Sequence, residues 1–309
     1  AGEIVLLVVP AEEYVDLRRR SELAAKGKIE FLGGKPELVR LGVFDEIDLA
    51  MMVHASGDPG ESRFSCAWHY NGFVAKQVRF IGRASHAGNA PHLGVNALSA
   101  ATLAMQAIAL QRETFRDEDR IRIHPIVTAG GAAVNVVPDD VRLETFVRGA
   151  TLEAIEDASA KVDRAFKAGA LALGAEVEIE TLPGYLPLAV DRELGRTFKA
   201  NAIELVGEGC WRESATNAAS TDAGDIAHMI PFLHPSHGGC SGANHTVDFR
   251  IVDPHAAYVM PAKALAFTIV DLLAGSAVEA RRAIGAFEPK LTRDEYLATM
   301  RGFTRFERA

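Results

Sequence analysis

Two kinds of periodicity alternate along this chain. Ile4-Val5-Leu6-Leu7-Val8-Val9 is continuous, β-branched and short, which predicts a strand buried in a mostly parallel sheet. Pro10 ends it, because proline cannot donate to a ladder. Residues 14–28 are charged and compatible with a helix, Gly33-Gly34 breaks the chain, and 36–41 predicts a short helix with Pro36 at its start. Residues 47–53 form a second apolar strand that delivers His54 at its C-terminal end. From Asn71 the pattern changes. Residues 73–81, 141–147 and 175–181 alternate as half-buried strands do. Residues 96–111 and 151–173 carry helical spacing, with Thr151 as an N-cap and Gly174 closing the second helix. Residues 121–127 add a strand before the Gly130-Gly131 turn. The order β-α-β-β-α-β predicts a ferredoxin-like α+β domain over 72–185. After it come a helix over 191–206, a loop region rich in Gly, Ser, Thr and Asn over 207–224, a His- and Gly-rich loop over 234–246, and a last helix over 254–273. The tail beyond Gly275 receives no assignment. The layout is an α/β domain (1–71 and 186–309) interrupted by an inserted α+β domain (72–185).

Composition narrows the function. A length of 309 residues suits two domains, and 48% hydrophobic with 24% charged residues is the balance of a globular protein. A net charge of −8 argues against nucleic acid, which needs clustered Lys and Arg. The run Arg18-Arg19-Arg20 is too short to change this and reads as a solvated helix face. Cys66, Cys210 and Cys240 are odd in number and form no CxxC, so no disulfide framework is expected and a cytoplasmic location fits. No continuous apolar run reaches the ~18 residues of a membrane span, and no signal peptide is visible, so no membrane partner is expected. Ala1-Gly2-Glu3 leads straight into the first apolar run, as though the chain begins inside a domain.

Four groups of residues are candidates for chemistry. Glu12 and Glu13 follow the first predicted strand at its C-terminal end, where open α/β sheets bind ligands. Like charges so close repel, so one tends to be neutralised by a metal or a proton; the plainer reading is a solvated helix start. His54 ends the next strand at the same sheet edge, and a neutral imidazole is the commonest metal ligand. His245 lies on a Gly-rich loop near Asp222, Asp225, His228, His234 and His237; of the histidines one ligand, with His245 favoured, and several supporting groups are expected. His86, in Gly82-Arg83-Ala84-Ser85-His86-Ala87-Gly88, is a loop histidine able to stabilise an oxyanion.

Together these motifs resemble a known family. Pro10-Ala11-Glu12-Glu13, Met52-Val53-His54, Ser85-His86-Ala87-Gly88 with Gly94-Val95-Asn96-Ala97-Leu98, Asn135-Val136-Val137-Pro138-Asp139 and Asn244-His245-Thr246 fall in the order of the M20 peptidases. The likeness is to their amidohydrolase branch of aminoacylase-like and p-aminobenzoyl-glutamate hydrolase-like proteins. It implies a zinc-exopeptidase-like catalytic domain with an inserted ferredoxin-like lid and dimerisation domain. It further implies Glu12 as general acid/base, Glu13, His54 and His245 as metal ligands, and His86 as the oxyanion-stabilising histidine. Asn135 and Arg148 fall where relatives bind the substrate carboxylate, a task that suits the planar fork of arginine. The implied cofactor is a divalent metal, Zn²⁺ or the Mn²⁺ and Co²⁺ that share such ligands, two per site in a complete protein. The implied substrate is a small amide with a carboxylate (an N-acyl amino acid, an aminobenzoyl-glutamate or a dipeptide), and the implied assembly is a homodimer through 72–185.

The match departs from the family twice. Residues 14–34 replace a short Gly-rich turn and are expected to line the pocket. The upstream metal ligands, a Cys-Gly-His segment or a His and an Asp, have no counterpart here, so the catalytic domain is expected to be incomplete at its N-terminus. The alternative function is an incomplete relative acting as a binding or dimerisation module.

Overall fold

In the computed structural model, which describes residues 2–57 and 63–309, the first apolar run is not a strand. Residues 4–9 join no ladder and lie largely exposed, Leu6 at 90% and Val8 at 79%. Apolar, β-branched composition favours extended backbone, but a strand exists only where a neighbour completes its hydrogen bonds. Helix α1 (Leu17–Ala25) is capped by the Asp16 side chain, which accepts from the Arg19 amide. Helix α2 (Gly34–Arg40) carries Pro36 in its first turn, where a missing N–H costs nothing. The second expected strand divides into β1 (Ala50–Met51) and β2 (His54–Ala55). Its partner stretch contains Pro235, which accepts from His54 but cannot donate in return, so the ladder lapses there. Strand β3 (Phe64–Ala67) follows.

The inserted segment follows its periodicity closely. It contains β4 (Gly72–Ile81), α3 (Ala97–Leu110), β5 (Arg122–Ile123), β6 (Ile126–Ala129), β7 (Asp140–Gly149), α4 (Leu152–Leu173) and β8 (Glu176–Tyr185). The expected strand at 121–127 is split at Pro125 for the reason that applies at Pro235. Antiparallel pairing gives the order β8-β4-β7-β5, with β6 also on β7, the ferredoxin-like arrangement. Val74, Val78, Phe80, Val141, Leu143 and Val147 are buried among Ala100, Ala104, Ile155, Val162 and Phe166 of the two helices.

The chain then returns through α5 (Arg192–Val206), β9 (Trp211–Ser214), β10 (Phe232–Leu233), β11 (Ser236–His237), α6 (Met260–Ala286), α7 (Arg293–Gly302) and β12 (Arg305–Arg308). Instead of one mostly parallel sheet, this half holds small mixed ones. β1 pairs with β10 in parallel, and a four-stranded sheet runs β9-β3-β11-β2 with parallel outer pairs and an antiparallel centre. Helical structure continues well past 273, and the unassigned tail is ordered. A capping box of Thr292 and Glu295 opens α7, Tyr296 is fully buried, and β12 adds to the edge of β8. Among the described residues, His255–Ala286 is long and apolar enough by length and composition to cross a membrane, but its buried Ala264, Thr268, Leu272 and Ala283 belong to the interior of the fold.

Candidate active site

The Glu12–Glu13 segment is pinned from three sides. Gly34 donates to Ala11 O at 2.9 Å, an approach so close that a Cβ at Gly34 would meet that oxygen at 2.7 Å. The Tyr185 hydroxyl donates to Glu12 O, and Arg20 donates to Glu13 O and, at 2.5 Å, to Leu32 O. Tyr14 lies buried against Phe73, Phe146 and Tyr185 and donates to Pro183 O at 2.5 Å. Segment 14–34 therefore packs on the face of the inserted sheet that α3 and α4 leave open, joining the glutamates to that domain.

Behind Glu12 lies a buried polar network. Lys35 Nζ stands 2.5 Å from Asp222 Oδ1, and both residues are buried. Thr221 Oγ1 donates to Glu12 Oε1 at 3.4 Å. Burial raises the Glu12 pKa, and the charges of Asp222 and Glu13 raise it further, against the opposing pull of Lys35 and Thr221. Deeper still, Asp225 accepts from Tyr296 at 3.1 Å and from the Leu186 amide at 3.2 Å, and burial raises its pKa well above the ordinary aspartate value. Arg148 projects from β7 over the rings of Phe73 and Phe146, at 5.2 and 5.4 Å, and donates to Ser220 Oγ at 2.7 Å. Burial lowers its pKa, while Tyr185 and Glu13 partly restore it; an arginine stays charged throughout.

The three expected metal ligands are brought together only in part. His245, held in the left-handed region at φ 63°, places Nε2 3.9 Å from Glu13 Oε1. Its neighbour Asn244 reaches across to the end of β2, accepting from the Gly57 amide at 3.1 Å and donating to Ala55 O at 3.3 Å. His54 thus lies beside the same loop. Its Nδ1, however, is 2.7 Å from Ala55 O, and its ring faces His234 at 5.8 Å. His234 is buried, among the described residues neither of its ring nitrogens is hydrogen-bonded, and burial pushes its pKa down to about 3. Among the described residues no group of three His, Cys, Asp or Glu side chains is arranged to hold a metal ion. Glu13 and His245 supply two donors, short of the three or four protein ligands zinc takes, so the donor set does not fit a complete metal site.

His86 and Asn135 form a separate unit on the inserted domain. Ala87 donates to Asn135 O at 2.9 Å, and His86 bridges to Val136. The Gly88 and Asn89 amides donate to His86 Nδ1 at 3.2 and 3.0 Å. With Nδ1 accepting, the neutral ring carries its proton on Nε2, which is left as a donor. Among the described residues, neither His86 nor Asn135 hydrogen-bonds to Glu12, Glu13 or Arg148.

Sequence patterns missed Lys35, Tyr185, Ser220 and Thr221. Lys35 carried one signal: a cation in the first turn of a helix opposes the helix dipole and calls for a buried anion.

Fold and site together define a two-part α/β chain with paired carboxylates at the join. Residues 71–172 match the peptidase dimerisation domain of the M20 family. The chain is 30% identical over 249 residues to the Xaa-Arg dipeptidase of Mus musculus, covering 78% of this chain and 56% of that protein. It is 30% identical over 157 residues to one of the p-aminobenzoyl-glutamate hydrolase polypeptides of Escherichia coli, covering 50% of this chain and 32% of that protein. The fold also matches the crystal structure of an aminobenzoyl-glutamate utilization protein from Klebsiella pneumoniae, with a TM-score of 0.56 and 19% identity over 81% of this chain and 57% of that one. Residues 71–172 thus carry an M20 peptidase dimerisation domain, and the chain is similar over most of its length to a dipeptidase. It spans little more than half the length of the dipeptidase.

Proposed function

We propose that this protein hydrolyses an amide bond next to a carboxylate, in an N-acyl amino acid, an aminobenzoyl-glutamate or a dipeptide. The observation that carries the reading is the Glu12 carboxylate, half-buried with a raised pKa and held by Thr221, while the adjacent Ser220 holds the guanidinium of Arg148. A carboxylate shifted towards neutral pH takes a proton from attacking water and returns it to the leaving amine more effectively than an ordinary one. Arg148, backed by two aromatic rings, offers a fork for the substrate carboxylate. His86 Nε2–H supplies a donor for the tetrahedral oxyanion. Because His86 does not meet its own Glu12, this donor serves a site completed by a second copy, in a homodimer formed through 72–185. The resemblance implies a divalent metal held by Glu13, His54 and His245, and the described donors do not close such a set.

The test is turnover of N-acyl amino acids and p-aminobenzoyl-glutamate by wild type and Arg148→Gln. Loss of a charged hydrogen-bonding partner is expected to raise KM about ten- to a hundredfold. An unchanged KM would remove Arg148 from substrate binding. The incomplete donor set favours a second reading, a binding and dimerisation module. That reading is upheld if the same compounds bind to a dimer and none is cleaved.

A further inference from the structure

Ser220 sits where the two parts of the chain touch, on a loop that is pinned on both sides. The Asn217 side chain accepts from the Ala219 amide at 2.9 Å, a local turn of the kind asparagine favours. The Asn217 amide donates to His69 O at 2.7 Å, and Ala219 O accepts from the Asn71 amide at 3.0 Å, one residue before the inserted domain begins at β4. After Ser220, Thr221 Oγ1 accepts from the Ala223 amide at 3.3 Å, and Asp222 is buried against Lys35. A side chain presented from so fixed a loop has little ordering left to lose when a ligand binds.

The Ser220 hydroxyl has hydrogen-bonding capacity to spare. Its oxygen accepts from Arg148 Nη1 at 2.7 Å. A hydroxyl also carries one O–H donor, and among the described residues that donor meets no acceptor. Arg148 is in the same condition. Among the described residues its Nε and Nη2 make no hydrogen bond and no carboxylate pairs with it. Both residues are only half-buried, which leaves these donors reachable. A guanidinium and a neighbouring hydroxyl with unspent donors suit a single carboxylate, whose two oxygens accept about four hydrogen bonds. The chain itself sets how far such a carboxylate lies from Glu12. The Cα atoms of Ser220 and Thr221 are about 3.8 Å apart, and Thr221 Oγ1 donates to Glu12 Oε1 at 3.4 Å. A carboxylate at Ser220 is therefore one residue away from the group that holds the proposed general base, as an amide next to that carboxylate requires.

Building on the hydrolase reading above, we propose that Ser220 is a substrate-binding residue whose hydroxyl donates to the substrate carboxylate beside the Arg148 guanidinium, so that the carboxylate is gripped from both parts of the chain. The test uses N-benzoylglycine and N-benzoylglycinamide, which differ only in that a carboxamide replaces the carboxylate. Calorimetry on the full-length protein in the Glu12→Gln background measures binding without turnover. Ser220→Ala is expected to weaken binding of the acid about tenfold and to spare the amide. Ser220→Thr, which keeps the hydroxyl, is expected to restore the acid. Unchanged acid binding in Ser220→Ala, equal losses for acid and amide, or no recovery in Ser220→Thr overturns the proposal. If Arg148→Gln weakens the acid and Ser220→Ala does not, the proposal alone falls and the hydrolase reading is untouched. If acid binding depends on Ser220 but the protein with Glu12 intact cleaves neither N-benzoylglycine nor p-aminobenzoyl-glutamate, the binding role stands and the hydrolase reading fails.

Discussion

At the residue scale, the candidate site rests on groups that the chain keeps out of water at a cost. Lys35 and Asp222 are both buried and 2.5 Å apart, and removing one member of such a pair strands the other's charge. Asp222→Asn and Lys35→Met are each expected to lower stability by about 3–5 kcal/mol, measurable by urea unfolding; a change within about 0.5 kcal/mol, the usual size for surface sites, would mean the pair is not buried in solution. Asp225 gives a pH dependence. Its folded pKa lies well above the ordinary value of 3.8, so the folded state holds its proton where the unfolded chain has released it. Its contribution to stability is full below 3.8 and is lost as pH rises towards the folded value. Asp225→Asn is therefore expected to flatten the decline in stability above that pH, and unfolding curves at a series of pH values check this. The pairing within this network was not legible in the sequence, although Lys35 in a first helical turn and Asp222 and Asp225 near the candidate His245 were each visible. Lys35 and Asp222 stand 187 positions apart, and no local pattern links them. Glu12 and Glu13 were legible because adjacent carboxylates after an apolar run are locally conspicuous.

At the element scale, legibility followed the range of the forces involved. The strands and helices of 72–185 emerge from their own periodicity, because each carries an alternating or helical stripe that its neighbours bury locally. Residues 4–9 carry an equally strong apolar signal and form no strand, since ladder hydrogen bonds come from elsewhere in the fold. Proline breaks at 125 and 235 shortened two strands that hydropathy alone runs together. The tail gave no readable signal, yet β12 pairs with β8 over four residues and Ala309 exchanges both backbone bonds with Val177. Deleting residues 304–309 is expected to lower the melting temperature and to promote association through the freed edge of β8. Light scattering would detect this, and an unchanged melting temperature with no association would show that the edge needs no cover.

At the scale of the whole molecule, the two parts meet where the chemistry is proposed. Segment 14–34 clamps the glutamates to the inserted sheet, Arg148 enters from that sheet, and Ser220 and Thr221 enter from the other part. The α/β layout and the strands and helices of 72–185 were visible in the sequence, whereas the return of 305–308 to the edge of that sheet was not. The joining contacts were not, because they form between segments that the chain keeps far apart. The measurement that bears most directly on this account is the turnover of p-aminobenzoyl-glutamate and N-acyl amino acids by the full-length protein and its Glu12→Gln variant, each folded and able to bind substrate. The account predicts hydrolysis by wild type and a fall in kcat of about 10²–10⁴-fold in the variant, the range of a general acid/base. Equal kcat values would contradict it.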